Sequence, residues 1–178
     1  MRGVEPRTFA RSAISTDAYA IEWRQCAPGE TRGCDSYAGI YLSGSSGNQG
    51  LNMLVEELVQ YIHGLATAYA VDGDRGPKFR NSASSERDGV LTFLWYTQRY
   101  LRLARVNHPK THAKLLANSC WRGLLLDIWG QAWLYLTQTA NKKSLGIDDE
   151  QLEPLVRNPE LLSEIQGLRN AEGCKAKP

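Results

Sequence analysis

Residues 51–70 read LNMLVEELVQYIHGLATAYA, and the fold class follows from this stretch. Leu51, Leu54, Val55, Leu58, Ile62, Leu65, Ala66 and Tyr69 recur at i, i+3, i+4 and i+7, the spacing that gathers side chains on one side of an α-helix. Glu56, Glu57, Gln60, His63 and Thr67 fall on the other side. A helix with one apolar face has to bury it against something, and the chain downstream repeats the pattern. Asp72-Gly73-Asp74-Arg75-Gly76-Pro77 is dense in turn formers and ends the first helix. After a polar loop to Ser85, the residues Val90, Phe93, Leu94, Thr97, Leu101 and Ala104 form the stripe of a second helix, and Ser85 and Asp88 have capping-box spacing. Pro109 closes that helix near Asn107 and opens a third helical region, residues 110–138. Leu115, Leu116, Cys120, Trp121, Leu124, Leu125, Ile128, Trp129, Trp133 and Leu136 make it apolar around most of its girth, so it is expected to be the central helix. A short helix from Asp148-Asp149 to Val156 follows. Asn158-Pro159, a cap and a first-turn proline, starts the last one, with Leu161, Leu162, Ile165 and Leu168 buried.

Upstream of Gly50 the periodicity fades. Residues 1–50 are rich in Gly, Ser and Thr; residues 17–24 (DAYAIEWR) read as a strand or one helical turn, residues 37–42 (YAGIYL) as a short strand, and residues 44–50 (GSSGNQG) as a loop. The expected architecture is all-α: an antiparallel helical bundle of three long and two short helices over 51–170, an irregular N-terminal segment over 1–50, and a loose tail over 171–178.

Composition narrows the function classes. With 42% hydrophobic residues and a net charge of +2, the chain is neither disordered nor strongly enough charged to mark it as a nucleic-acid binder overall. The apolar run 115–136 contains Arg122 and Asp127, which argues against a membrane span. Cys26, Cys34, Cys120 and Cys174 form no C-x-x-C pair, and no apolar leader segment is visible at the N-terminus. Reduced thiols in a cytoplasmic protein are the expectation, with Cys26 and Cys34 able to close a small loop in an exported one.

Local candidates for chemistry are few. Arg99, Arg102 and Arg105 recur every three residues along one side of the second helix, continued by Lys110 and His112, and such a stripe can hold a nucleic-acid backbone, with Tyr96 and Tyr100 near enough to stack on bases. The ordinary alternative is a solvated helix face. His108 and His112 have i, i+4 spacing, but a proline follows His108 and no carboxylate lies between them, so no metal or other cofactor is expected. The glycines of GSSGNQG precede a helix N-terminus, yet the loop lacks the lysine of a phosphate-binding loop. Asp127 sits amid leucines and would need an ionic partner such as Arg122; Cys120 falls on the apolar stripe and reads as a small hydrophobe.

Residues 161–170 (LLSEIQGLRN) end in Arg169-Asn170, and Arg102 and His108 have five residues between them, with Leu103 after the arginine. These pieces resemble the HEPN family of α-helical proteins, many of them ribonucleases of toxin–antitoxin and phage-defence systems, whose motif is Arg, a polar residue, four to six residues and His. The resemblance implies metal-independent RNA cleavage across a homodimer, with Arg102 or Arg169 stabilising charge on the phosphorus centre and His108 moving protons. No histidine follows Arg169-Asn170 in the chain, which implies a non-enzymatic relative instead. The functional expectation is therefore a non-catalytic helical interaction or regulatory module that self-associates or binds a protein partner. A HEPN-like ribonuclease, with RNA as its partner, is the alternative.

Overall fold

The computed structural model describes residues 8–72 and 85–173, and every regular element among them is helical. Two short 3-10 turns, Arg11–Thr16 and Ala18–Ala20, are followed by the single-turn helices α1 (Ala38–Tyr41) and α2 (Gly44–Gly47). Then come α3 (Leu51–Ala70), α4 (Glu86–Asn107), α5 (Pro109–Ala117), α6 (Ser119–Gln138), α7 (Asp149–Val156) and α8 (Pro159–Ala171). The all-α class read from the periodicity is the observed one. No helix among the described residues is long and apolar enough to cross a membrane. The turn expected after Asp72, most of the polar loop that follows it and the tail from 174 onward lie outside the described residues.

Several local expectations are corrected. Residues 37–42 wind into α1 rather than a strand, because the Asp35 carboxylate accepts the N–H groups of Tyr37 and Ala38 at 3.2 and 3.0 Å and so caps that turn. Pairing of β type among the described residues is a single bridge between Gln25 and Asp35. The glycine-rich run 44–50 contains α2, whose Gly47 lies so close to Leu42 that a Cβ would stand 2.7 Å from its carbonyl oxygen. The third helical region divides at Asn118, whose extended backbone breaks the helix and whose side chain accepts from Trp121 N–H at 3.2 Å to start α6. Ser85 makes no capping bond, whereas Asn158 caps α8 as its sequence suggested.

The larger correction concerns the centre. α4, not the third region, is the buried helix: every residue from Arg87 to Leu101 is buried. α6 instead lies at the edge, exposing Cys120, Leu124, Asp127 and Leu134. Asp127 and Cys120 thus need neither a buried partner nor a hydrophobic slot, and Arg122 pairs with Glu172 at 2.8 Å. The N-terminal segment shares the core, through Ile14, Tyr19, Ala38 and Leu42. Gly89 lets α4 approach α3: a Cβ there would stand 2.1 Å from the Tyr61 ring.

A helix buried on all sides must satisfy its polar side chains within the protein. α4 does so for most of them by tying down the segments around it, while Trp95 Nε1 and Gln98 Oε1 find no hydrogen-bond partner among the described residues. Arg87 donates to Asp149, to the Leu136 carbonyl and to Thr139, at 2.7–2.8 Å. Tyr96 donates to Asp35 at 2.6 Å, and Gln98 to the Val156 carbonyl at 3.0 Å. Arg99 pairs with Asp17 at 2.7 Å, donates to the Ile14 carbonyl and lies over the Trp95 ring with its guanidinium carbon 4.2 Å from the centroid.

Cys26 and Cys34 are joined by a disulfide, which corrects the expectation of reduced thiols. It closes a loop with a sequence separation of 8, whose cross-link restricts the unfolded chain by about 2–3 kcal/mol.

Removing Asp17 strands the Arg99 guanidinium in the interior. Asp17→Ala is expected to lower unfolding free energy in urea by about 3–5 kcal/mol. Glu153→Ala, which breaks the exposed pair with Arg157, should change it by less than about 1 kcal/mol.

Candidate functional site

The arginine stripe is real as a line of residues, and each arginine faces a carboxylate. Arg99 is buried against Asp17, Arg102 bonds Glu160 at 2.7 Å, and Arg105 bonds Glu164 at 2.7 Å. Tyr19 also donates to Glu160, and the Arg102 guanidinium lies 5.1 Å from the Tyr19 centroid. The stripe therefore fastens the N-terminal segment and α8 to α4, and its charge is matched by three acids. His108 follows the end of α4 and stacks on Phe9 at 4.3 Å, while Phe9 stacks on Tyr100 at 4.1 Å. Arg102 and His108 thus have separate partners. Lys110 is exposed, and burial draws the half-buried His112 below the usual imidazole value. Arg169 lines an open groove with Trp129, Pro159, Leu162 and Ile165. The loop before α3 is held by Arg11, which donates to Ser46 O at 2.8 Å and through its backbone N–H to Gln49 O at 2.7 Å.

A more enclosed concavity lies elsewhere among the described residues. A cleft of about 330 Å³ opens where the disulfide loop, α1, α3, the first turns of α4 and the start of α7 meet. Trp23, Tyr37 and Tyr61 supply aromatic walls; Thr31, Ser36, Ser85 and Thr92 supply small polar groups; Asp88 and Asp148 supply carboxylates. No Lys, Arg or His is among the described lining residues. Its size falls within the roughly 300–1,000 Å³ typical of small-molecule sites.

Each wall is positioned by an identifiable contact. The disulfide holds Cys34 in the cleft lining, and the N–H of the adjacent Gly33, where φ is 69°, donates to Asp148 at 3.0 Å. Tyr37 donates to the Ser85 carbonyl at 3.2 Å and meets the Tyr61 ring edge-on at 5.5 Å. Tyr61 stacks on Phe93 at 5.1 Å and shares a hydroxyl contact with Tyr41 at 3.1 Å. Asp88 is 5% exposed and accepts the backbone N–H groups of Ile147, at 3.1 Å, and of Asp148, at 3.2 Å.

Burial pushes the Asp88 carboxyl up to about 6. The two backbone N–H groups oppose that rise, and the negative charges of Asp149 and Asp148 reinforce it. Burial likewise pushes the Tyr37 phenol up to about 12, so it stays a neutral donor at physiological pH. Asp149 has its charge matched by Arg87, whereas neither Asp88 nor Asp148 is ion-paired among the described residues. No group of three or more His, Cys, Asp and Glu is placed to hold a metal ion among them either.

Reasoning from the sequence missed this site because its walls come from five separated parts of the chain. One signal was present: Asp88, Thr92, Tyr96 and Arg99 follow helical spacing, a polar line along a helix otherwise built for the core. Compared with protein-family models, curated proteins and solved structures, the chain matches none.

Proton counting sets the pH dependence. Between about pH 4 and 6 the folded chain keeps a proton on Asp88 that the unfolded chain releases, so this group supports the fold at the acid end. That contribution is lost as pH rises through about 6. Carbon-13 NMR of the side-chain carboxyls should place the Asp88 midpoint near 6. Relative to Asp88→Asn, the natural chain should lose roughly 1–2 kcal/mol of stability between pH 4 and 6.5.

Proposed function

We propose that this chain is a non-catalytic helical binding module whose working surface is the cleft between the disulfide loop and the α4–α7 junction. The observation that carries the reading is the cleft's construction: aromatic walls and two carboxylates without ionic partners among the described residues, held by a disulfide and by hydrogen bonds from separate segments. Preorganised concavities of this kind hold small molecules with little ordering cost. A binding role is favoured over catalysis because both Asp88 oxygens are engaged by backbone N–H groups that fix the 147–148 turn. A carboxyl so committed is better suited to holding charge than to shuttling protons.

The other expectations draw less support. RNA cleavage by Arg102 and His108 asks two side chains with different partners to converge on one phosphate, and the arginine is already matched by Glu160. For self-association, the exposed large apolar side chains of the described residues, Ile21, Ile40, Tyr69, Val71, Val106, Leu124 and Leu134, come from separate parts of the chain, and single exposed apolar residues are ordinary on a protein surface. The disulfide favours an oxidising compartment over the cytoplasmic location first expected.

A fragment screen by protein-observed NMR tests the proposal. Hits should shift the resonances of Trp23, Tyr37, Thr92 and Asp148 together, and reduction of the disulfide should weaken those hits several-fold by loosening one wall. Hits scattered over α6 and α8, or none at all, would overturn the reading.

A further inference from the structure

The walls of the cleft also say what kind of small molecule belongs there. Trp23, Tyr37 and Tyr61 offer aromatic rings, and the π-face of such a ring carries partial negative charge. Asp88 and Asp148 add formal negative charge. Each receives hydrogen bonds from backbone N–H groups, which fix its position and leave that charge without a cationic side chain among the described residues. Asp149, next in the chain, is different, because Arg87 matches it at 2.7 Å. The site thus combines aromatic rings with carboxylates that have no ionic partner among the described residues, and has no lysine, arginine or histidine in its described lining. An anion would meet repulsion from every charged group of the described lining. A neutral ligand would leave two carboxylates crowded in a half-apolar cleft. A cation relieves that crowding and gains the ring faces as well.

We infer that the cleft is a receptor site for a small organic cation, an alkylammonium or quaternary ammonium group seated between the aromatic walls and the Asp88 and Asp148 carboxylates. This inference rests on the cleft being a binding site and adds the chemical class of its ligand. A soft, weakly hydrated ammonium suits it better than a bare metal ion, because the donors to such an ion would be too few. Among the described residues, no three carboxylate, thiol or imidazole groups are grouped to ligate one. The volume, about 330 Å³, accommodates a head group of this size with room for a short chain.

Choline and its neutral isostere 3,3-dimethylbutan-1-ol separate charge from shape. Isothermal titration calorimetry at pH 7 and constant ionic strength should show saturable choline binding, with the isostere at least about tenfold weaker. Asp148→Asn keeps an oxygen to accept the Gly33 N–H while removing the charge. It should weaken choline about tenfold and leave the isostere unchanged, whereas Asp127→Asn, on the exposed face of α6, should alter neither. Circular dichroism of Asp148→Asn checks that the variant is folded, and Trp23→Leu, which removes one ring from the wall, should independently weaken choline several-fold. Equal binding of choline and its isostere would overturn the cation assignment while leaving the cleft as a binding site. Absence of choline binding together with fragment hits in the cleft would do the same. Absence of both would overturn the cleft reading itself.

Discussion

A single constraint organises this protein: α4 is buried from Arg87 to Leu101, and along that length it carries Arg87, Asp88, Thr92, Tyr96, Thr97, Gln98 and Arg99. Charges and hydroxyls in the interior are tolerated only when they find partners there. Each of these residues except Thr92 and Thr97 bonds a segment distant in sequence, Gln98 through its amide N–H alone, from Asp17 and Asp35 on one side to Ile147, Asp149 and Val156 on the other. Thr97 returns its hydroxyl to the Phe93 carbonyl within the helix. The peripheral segments are thus held by the polar requirements of the central helix as much as by apolar packing.

The cleft follows from the same requirement. Asp88 reaches the N–H groups of Ile147 and Asp148 and draws that turn against α4, while Tyr96 draws in Asp35 and with it the start of α1. Between the two anchored segments stand Tyr37, Tyr61 and Trp23, and the disulfide limits how far the intervening loop can move. The negative balance of the described lining arises because the neighbouring arginine, Arg87, spends its charge on Asp149. The candidate site is a by-product of how a polar central helix is satisfied.

Different parts of the chain were legible to different degrees. The helical class, the bounds of α3, the end of α4 at Asn107 and the cap at Asn158 were all readable, because each depends on neighbours within a few residues. The rank order of burial was not. The region around Trp121 and Trp129 carries more apolar residues than α4, yet α6 exposes Leu124 and Leu134 while α4 buries Arg99. Composition reports what a side chain would gain from burial, and only the packing reveals which polar groups find partners when buried. Tyr37–Leu42 misled for a similar reason: its alternation suits a strand, but the Asp35 carboxylate two residues upstream caps it into a helix.

What the sequence alone determined is the local code: helical periodicity, the break at Pro109, the cap at Asn158, and the presence of an arginine line on the second long helix. Tertiary structure decided everything that depends on which carboxylate meets which cation. It turned Arg99, Arg102 and Arg105 into ties to Asp17, Glu160 and Glu164, it joined Cys26 to Cys34, and it left Asp88 and Asp148 facing a cleft. The physical reason is range. Backbone hydrogen bonding and side-chain spacing act within a turn or two of the chain, whereas the ion pairs of Arg99, Arg102 and Arg105 join residues that stand 58 to 82 positions apart.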